Sequence, residues 1–245
     1  MVRPDRRGGP VHPLDHAAWT SLTGPHAGFA VGSGTARRYR PDVSPFVAVS
    51  PDEIGPQGVS PAGWRDLVAL LEPAETVVLF SWVPVADRLP AGLEVAAALP
   101  GLQMTAPPQQ ADRADPDAVE LGSGDVDDML DLVARTEPGP FLPRTRLLGR
   151  YLGVRIDGRL VAMAGERMHP PGWTEISAVC TDPAARGRGL AARLVGSVAA
   201  GIRARGERPL LHVSAANTPA VRLYEHLGFQ RRGAGTFTAL RRTGG

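Results

Sequence analysis

The segment from residue 173 to residue 204 constrains the fold of this chain more than any other. It begins with the apolar run WTEISAVCT, continues into the turn DPAARGRG, and ends in a pattern whose apolar residues recur every four positions: Leu190, Leu194, Val198 and Ile202. Short apolar runs rich in β-branched residues predict strands, and apolar residues about four apart predict one face of a helix. We therefore expect a strand, a glycine-containing loop and a long helix in direct succession.

The loop between this strand and this helix has the features of an anion site. Gly187 and Gly189 carry no side chain that would keep a ligand from the backbone, while Arg186 and Arg188 add positive charge. The first N–H groups of a helix have no intrahelical acceptor, and the helix N-terminus carries a partial positive charge. The setting predicts a phosphate site at residues 186–191, although the loop by itself would also suit a solvated glycine turn.

Further elements are predicted on both sides of a break in composition at TAPPQQADRADPD, residues 105–117, which has the prolines, glutamines and acids of a linker. Before the break, PFVAVS and TVVLFSW predict strands, and Ser60-Pro61 predicts the start of a helix that ends before Pro73. After it, the predicted order is helix, three strands, helix, strand, helix and strand. Asp157-Gly158 predicts a hairpin turn between the first two of those strands.

Composition and charge restrict the class of protein. The chain has 245 residues, a net charge of +2 and one cysteine, Cys180. Through residue 115 there are 9 arginines against 12 acidic residues, and 18 against 13 follow, with no lysine anywhere. This polarity favours an anionic ligand in the second half, without the excess that a nucleic-acid partner requires. No apolar stretch suggests a signal peptide or a membrane span, so we expect a cytoplasmic protein without a membrane partner.

Two motifs in the second half give a family resemblance. RGRGLA at 186–191 matches the Q/R-x-x-G-x-G/A signature of the GNAT superfamily of acyl-CoA-dependent N-acyltransferases, with alanine in place of the last glycine. Asn217 followed by Tyr224 in RLYEHLGF is similar to the ending of that family's sequence pattern. The resemblance covers residues 117 to 242. It implies an α/β fold with a central mixed, mostly antiparallel sheet flanked by helices.

The first half looks like a smaller, diverged GNAT-like α/β domain, on element order alone. We therefore expect an N-terminal domain at 1–110, a linker at 111–116 and a catalytic domain at 117–245. In the family, the strand before the loop splays from its neighbour and its backbone holds the pantetheine arm and the thioester carbonyl.

The resemblance implies that acetyl-CoA is the acyl donor, with no metal. The cofactor-binding residues that it predicts are Val179, Cys180, Thr181, Arg186, Gly187, Arg188, Gly189, Leu190, Ala191 and Asn217. Asn217 either accepts a hydrogen bond from pantetheine or caps the helix that follows it. Cys180 lies in an apolar strand without a neighbouring base, so we interpret it as inert core.

The resemblance also implies catalytic residues. Tyr224 is the predicted acid that protonates the departing thiolate; the alternative is a packing position beside Leu223 and Leu227. Glu175, eleven residues before Arg186, is the predicted base, and Glu166 competes with it; a solvated edge charge is the alternative for each. His169 and His212 are weaker candidates.

The function predicted from sequence is transfer of the acetyl group to a primary amine by direct attack in a ternary complex. The alternative is an inactive acyl-CoA-binding regulator. The sequence does not identify the acceptor, which could be a small molecule or a peptide, and it leaves a homodimer open. Neutralising a lysine-type amine at pH 7 costs about 4.6 kcal/mol, against about 1.4 kcal/mol for an α-amine. A base is therefore more important for the first kind of acceptor.

Overall fold

A mixed sheet of 11 strands extends through both halves of the computed structural model, which describes residues 12–85, 89–107 and 114–244. The strands are, in chain order, β1 Ala30–Val31, β2 Ala36–Tyr39, β3 Phe46–Val49, β4 Ile54–Gly55, β5 Gly58–Val59, β6 Thr76–Ser81, β7 Leu93–Thr105, β8 Val119–Glu120, β9 Tyr151–Ile156, β10 Arg159–Glu166, β11 Trp173–Thr181, β12 Arg208–Ser214 and β13 Gln230–Arg242. Strands β4 and β5 form a separate small hairpin. The α-helices are α1 Ala17–Leu22, α2 Pro61–Ala69, α3 Val126–Thr136, α4 Leu190–Ala204 and α5 Thr218–His226.

The two halves of the chain repeat one arrangement. In the first half β3 and β6 are parallel and are joined through α2, and in the second half β11 and β12 are parallel and are joined through α4. The other neighbouring pairs in the large sheet are antiparallel. The predicted fold class, a mixed and mostly antiparallel α/β sheet, is confirmed.

The last strand of each half pairs with the other half. In the order β1-β2-β3-β6-β13-β7-β12-β11-β10-β9-β8, the N-terminal strand β7 lies between β12 and β13, while β13 lies between β7 and β6. Residues 101–105 of β7 pair with β12, and nearly the whole of β7 pairs with β13. The halves therefore share backbone hydrogen bonds across the middle of the sheet.

The domain bounds at 110 and 117 stay a prediction. Residues 111–113 of the predicted linker lie outside the described residues, and so do residues 1–11, 86–88 and 108–110 of the predicted first domain. The sheet shows that any boundary near residue 110 separates β7 from the strands that flank it in space.

Most elements predicted from sequence are present. Ser60 caps helix α2, because its hydroxyl accepts a hydrogen bond from the Gly63 N–H at 3.1 Å. Asp157 and Gly158 both adopt positive φ, as the two central residues of a tight hairpin require. No strand is predicted for residues 93–105, where β7 lies, because three alanines and Pro100 weaken the strand pattern. Pro100 is tolerated because the pairing of β7 with β12 stops at Gly101.

Helix α4 supplies much of the core of the second half. Its fully buried residues include Leu194 and Ile202, which pack with strands β9 to β12. A second apolar cluster is centred on Trp64 and Leu67 of α2. Within the described part of the chain, no helix combines the length and apolarity that a bilayer crossing needs.

We expect residues 117–245 expressed alone to fail to fold. Without β7, both β12 and β13 lose their shared neighbour and expose long unpaired edges, which favours aggregation. Soluble yield and a cooperative thermal transition by circular dichroism measure the outcome against the full chain. A monomeric fragment with a cooperative transition would contradict the expectation.

Candidate active site

Strands β11 and β12 separate after only three residue pairs. Residues Trp173–Glu175 pair with Arg208–Leu210, and beyond this point the two strands diverge without further pairing. The gap forms part of a cavity of about 810 Å³, lined on the β11 side by residues 176–181 and on the β12 side by His212, Val213 and Ser214. The divergence leaves backbone groups of β11 without a strand partner on the cavity side.

A bulge on β11 lies in the same stretch. Cys180 pairs with Met163 and Ser177 pairs with Gly165, so two residues of β11 face one residue of β10. Ala178, one of the two, has a φ of 51°, a left-handed conformation that is uncommon for alanine. The predicted residues Val179, Cys180 and Thr181 all line the cavity. Burial raises the pKa of the Cys180 thiol, which fits an inert side chain.

The predicted phosphate loop lies at one end of the cavity. Gly187 and Gly189 have φ values of 78° and 71°, and a Cβ on either would meet no atom within 4 Å. These glycines are therefore required for backbone conformation, and the space beside them is open. The lining includes Arg186, Gly187, Gly189, Leu190 and Ala191 but not Arg188.

The start of α4 leaves donors free beside this loop. Its first helical hydrogen bond runs from the Arg193 N–H to the Gly189 carbonyl at 3.1 Å. Among the described residues, the N–H groups of residues 187–192 donate to no other backbone group. Several N–H donors and a helix N-terminus therefore converge on one end of the cavity.

Tyr224 and Asn217 line the cavity on the α5 side. The Tyr224 ring is 7% exposed and packs edge-on against Phe229, with ring centroids 6.0 Å apart. Burial, with a smaller contribution from Cys180, raises the pKa of Tyr224 to about 12. Asn217 caps α5, because its Oδ1 accepts a hydrogen bond from the Ala220 N–H at 3.2 Å. Its contact with pantetheine stays a prediction.

The two predicted acids are buried and do not line the cavity. Glu175 forms a bidentate ion pair with Arg167, whose Nε and Nη2 lie 2.8 and 2.6 Å from its oxygens. Burial acts to raise the pKa of Glu175, but Arg167, together with His212, outweighs it and holds the pKa well below its usual range. Glu166 accepts hydrogen bonds from the Arg150 N–H at 3.2 Å and Arg205 Nη2 at 2.9 Å.

His212 links Glu175 to the cavity. Its Nδ1 lies 2.7 Å from Glu175 Oε1, and its Nε2 lies 3.0 Å from the amide nitrogen of Gln103. The Gln103 oxygen accepts from Arg232 at 2.9 Å, and its amide nitrogen also donates to the Leu14 carbonyl. Because that nitrogen can only donate, His212 Nε2 is the acceptor and Nδ1 carries the proton.

The first half of the chain contributes one wall of the cavity. Phe46, Val78, Ala97 and Leu99 line it together with Phe237 from β13. Sequence alone does not predict this wall, nor the positions of Arg167 and Glu137, since none of these residues belongs to a recognisable motif. Glu137 follows α3 in a left-handed conformation, with a φ of 46°, and is the only carboxylate among the described lining residues.

Comparison with known proteins agrees with this geometry. Residues 151–238 match the family model described as FR47-like protein. A solved structure of a GNAT-family protein from Novosphingobium aromaticivorans is 45% identical, with a TM-score of 0.84, over 95% of this chain and 100% of that one. The chain therefore belongs to the GNAT family of acetyltransferases.

Curated relatives match a smaller part of their own length. The mycothiol acetyltransferase of Thermomonospora curvata is 35% identical over 144 residues, which are 58% of this chain and 46% of that protein. The N-alpha-acetyltransferase RimI of Mycobacterium tuberculosis is 40% identical over 86 residues, 34% of this chain and 53% of the relative. The chain thus spans about half the length of the curated relatives that it matches.

Removal of the Glu175 carboxylate is expected to destabilise the protein strongly. Glu175→Ala leaves the Arg167 charge buried without its partner, which costs about 3–5 kcal/mol of unfolding free energy. The pKa of Glu175 is lower in the folded protein than in the unfolded chain, where it is near 4.5. The ionised carboxylate therefore adds to the free energy of unfolding above that pH, and this contribution is lost as pH falls below it. Urea unfolding at pH 7 and pH 4 measures both effects.

A matched variant separates charge from packing. Glu175→Gln keeps the shape of the side chain and removes only its charge. The difference in free energy of unfolding between wild type and this variant should therefore be smaller at pH 4 than at pH 7. A deficit that does not change over this range would contradict the role assigned to the ionised carboxylate.

Proposed function

We propose that this protein transfers the acetyl group of acetyl-CoA to a primary amine, by direct attack in a ternary complex. One observation carries the proposal: a single cavity is lined by the glycine loop at the start of α4, the freed edge of β11 and the Tyr224 side chain. Membership of the GNAT family supports the same reaction class.

The donor fits the residues at the loop end of the cavity. The free N–H groups of residues 187–191 suit the pyrophosphate, and the open space beside Gly187 and Gly189 allows it to approach the backbone. The pantetheine arm would run along Val179, Cys180 and Thr181, whose cavity-side backbone has no strand partner. Asn217 lines the same cavity and would contact this arm.

In the reaction, the amine nitrogen attacks the thioester carbonyl carbon, the C–N bond forms and the C–S bond breaks. A backbone N–H of the β11 bulge would stabilise the oxyanion. Tyr224 donates its phenolic proton to the departing thiolate and regains one from solvent. Its raised pKa keeps the phenol protonated throughout the physiological range, so the acid form is always present.

The acceptor amine must lose a proton before or during attack. Of the two acids predicted from sequence, Glu175 is the one connected to the cavity, because its partners Arg167 and His212 both line it. Its depressed pKa makes it a weak base, so we assign it the role of positioning these two side chains, with the proton passing to water in the cavity. Glu166 contacts Arg150 and Arg205, neither of which lines the cavity, and it is the weaker candidate.

A panel of amines tests the proposal against the alternative of a regulator without turnover. Release of free thiol from acetyl-CoA, together with the mass of the acetylated product, shows transfer directly. Tight acetyl-CoA binding without thiol release for any amine would favour the regulator. The names of the relatives suggest a small-molecule or protein amine as acceptor, so both kinds belong in the panel.

Replacement of Gly189 should weaken donor binding more than neutralisation of the neighbouring arginine. Gly189→Val forces a β-branched residue into a left-handed conformation, which costs about 1–3 kcal/mol and displaces the N–H groups. Arg188→Gln removes a charge that does not line the cavity. Titration calorimetry should give a Kd for acetyl-CoA raised about tenfold or more for the first variant and about threefold or less for the second. The reverse order would contradict a backbone phosphate site.

Loss of the Tyr224 hydroxyl should affect turnover and not donor binding. Tyr224→Phe keeps the ring that packs against Phe229 and removes only the acid. We expect kcat to fall by about 100-fold or more, while the Kd for acetyl-CoA changes by less than about twofold. The wild-type rate should show no loss attributable to this phenol up to about pH 10, because its pKa is about 12. A kcat unchanged by the substitution would remove Tyr224 from the mechanism.

A further inference from the structure

Arg167 and Arg38 are the two ion-paired arginines that are deeply buried within the described ranges, and they differ in one respect. Arg167 is 8% exposed, and it binds Glu175 through Nε and Nη2. Its third nitrogen, Nη1, has no hydrogen-bond partner among the described residues, and Arg167 lines the cavity. Nη1 is not among the fully buried polar atoms, so it is accessible, and because Arg167 lines the cavity a ligand there can pair with it.

Arg38 provides the comparison. It is 3% exposed and also forms a bidentate pair, but with Glu75 and through Nη1 and Nη2. Its remaining donors are also occupied, because Nη1 bonds the Leu70 carbonyl at 2.8 Å and Nε bonds the Tyr39 carbonyl at 3.3 Å. Arg38 does not line the cavity. Arg38 is thus paired at every nitrogen, whereas Nη1 of Arg167 is left for a partner in the cavity.

The Arg167 guanidinium is held in a fixed orientation. Glu175 accepts hydrogen bonds along one edge of the guanidinium. The Phe46 ring lies against the guanidinium face, with the guanidinium carbon 4.5 Å from the ring centroid. Phe237, which packs 6.4 Å from Phe46, continues the aromatic wall of the cavity. Because the guanidinium is already fixed in this way, it loses little conformational freedom when it binds a ligand.

Arg167 lies at the end of the cavity opposite the phosphate loop. Its backbone pairs with Glu175, the last residue of β11 before the strands diverge. From Glu175 to Thr181, β11 covers roughly 20 Å at its usual rise per residue. Acetyl-CoA bound along β11, with its pyrophosphate at the loop, would place the acetyl group between the loop and Arg167. The space next to Arg167 is then left for the acceptor.

Resting on the function proposed above, we propose that Arg167 binds a carboxylate of the acceptor, so that the substrate is an amine that also carries a carboxylate, as an amino acid does. Glu175 uses Nε and one N–H of Nη2, so the edge formed by Nη1 and the other N–H of Nη2 is left to match the geometry of a carboxylate. A phosphate dianion suits the site less well, because Glu175 already neutralises the Arg167 charge. The apolar wall formed by Phe46, Leu99 and Phe237 would contact the rest of the acceptor.

Matched pairs of acceptors test the proposal with the full-length protein and acetyl-CoA. The pairs are L-alanine with ethylamine, L-leucine with isoamylamine, and L-phenylalanine with phenethylamine, each amine being the amino acid without its carboxylate. With kcat/KM expressed per neutral amine, so that the different amine pKa values cancel, we expect at least one amino acid to exceed its matched amine about tenfold or more, mainly through KM. Turnover with the amines and no such preference in any pair would overturn the carboxylate site and leave the acetyltransferase assignment intact.

Variants connect the preference to Arg167. Arg167→Lys keeps the positive charge beside Glu175 and removes the planar fork, so it should raise KM for the amino acid about tenfold while changing KM for the amine much less. The double variant R167Q/E175Q replaces the ion pair by two amides without leaving a buried charge, and it should lose the preference altogether. Arg38→Lys disturbs an equivalent buried pair away from the cavity and should keep the wild-type preference. Equal losses with both acceptors in Arg167→Lys would show a merely structural role.

A binding measurement separates the two proposals if no acceptor turns over. Calorimetry with CoA present compares N-acetyl-L-phenylalanine with N-phenethylacetamide, which lacks the carboxylate. Tighter binding of the acid that is lost in Arg167→Lys would support the carboxylate site even if the acetyltransferase proposal failed. No difference between these two compounds, together with no turnover, would overturn both.

Discussion

The separation of β11 from β12 is the constraint on which the candidate site depends. Only three residue pairs join these parallel strands, and all of them lie before the bulge at Ala178. Hydrogen bonds that would otherwise close the sheet are left unmade, and an unpaired backbone edge in a half-buried cavity is costly without a partner. The sheet keeps this opening because the strands on either side are firmly paired: β10 pairs with β11, and β7 pairs with β12.

The interlocked strands β7 and β13 bring the two halves of the chain to one cavity. Because β7 inserts beside β12, the first half supplies Phe46 and Leu99 to the wall opposite the phosphate loop. A polar network follows the same junction, from Glu175 through His212 and Gln103 to Arg232. The junction between the halves therefore supplies an aromatic wall to the cavity and a polar network that reaches the cavity through His212.

Local patterns predicted the elements and the loop correctly where the relevant physics is local. The hairpin at Asp157-Gly158, the cap at Ser60 and the start of α4 after Gly189 each depend on the conformational preferences of adjacent residues. Strand β7 was not predicted, since its alanines and Pro100 form a weak strand pattern that becomes stable only between β12 and β13. The general-base prediction depended on family spacing, and spacing does not show that Glu175 is buried in an ion pair.

The sequence by itself determined the order of the elements, the glycine loop with its free N–H donors, and the place of Tyr224 after Asn217. These follow from residue types within one turn or one strand of each other. Only the tertiary structure decided which charges meet: Arg167 has a partner eight residues away across the β10–β11 turn, and His212 reaches it from another strand. Pairing of buried charges depends on which side chains the folded sheet brings together and on the water that it excludes, and neither is encoded in any short stretch of the chain.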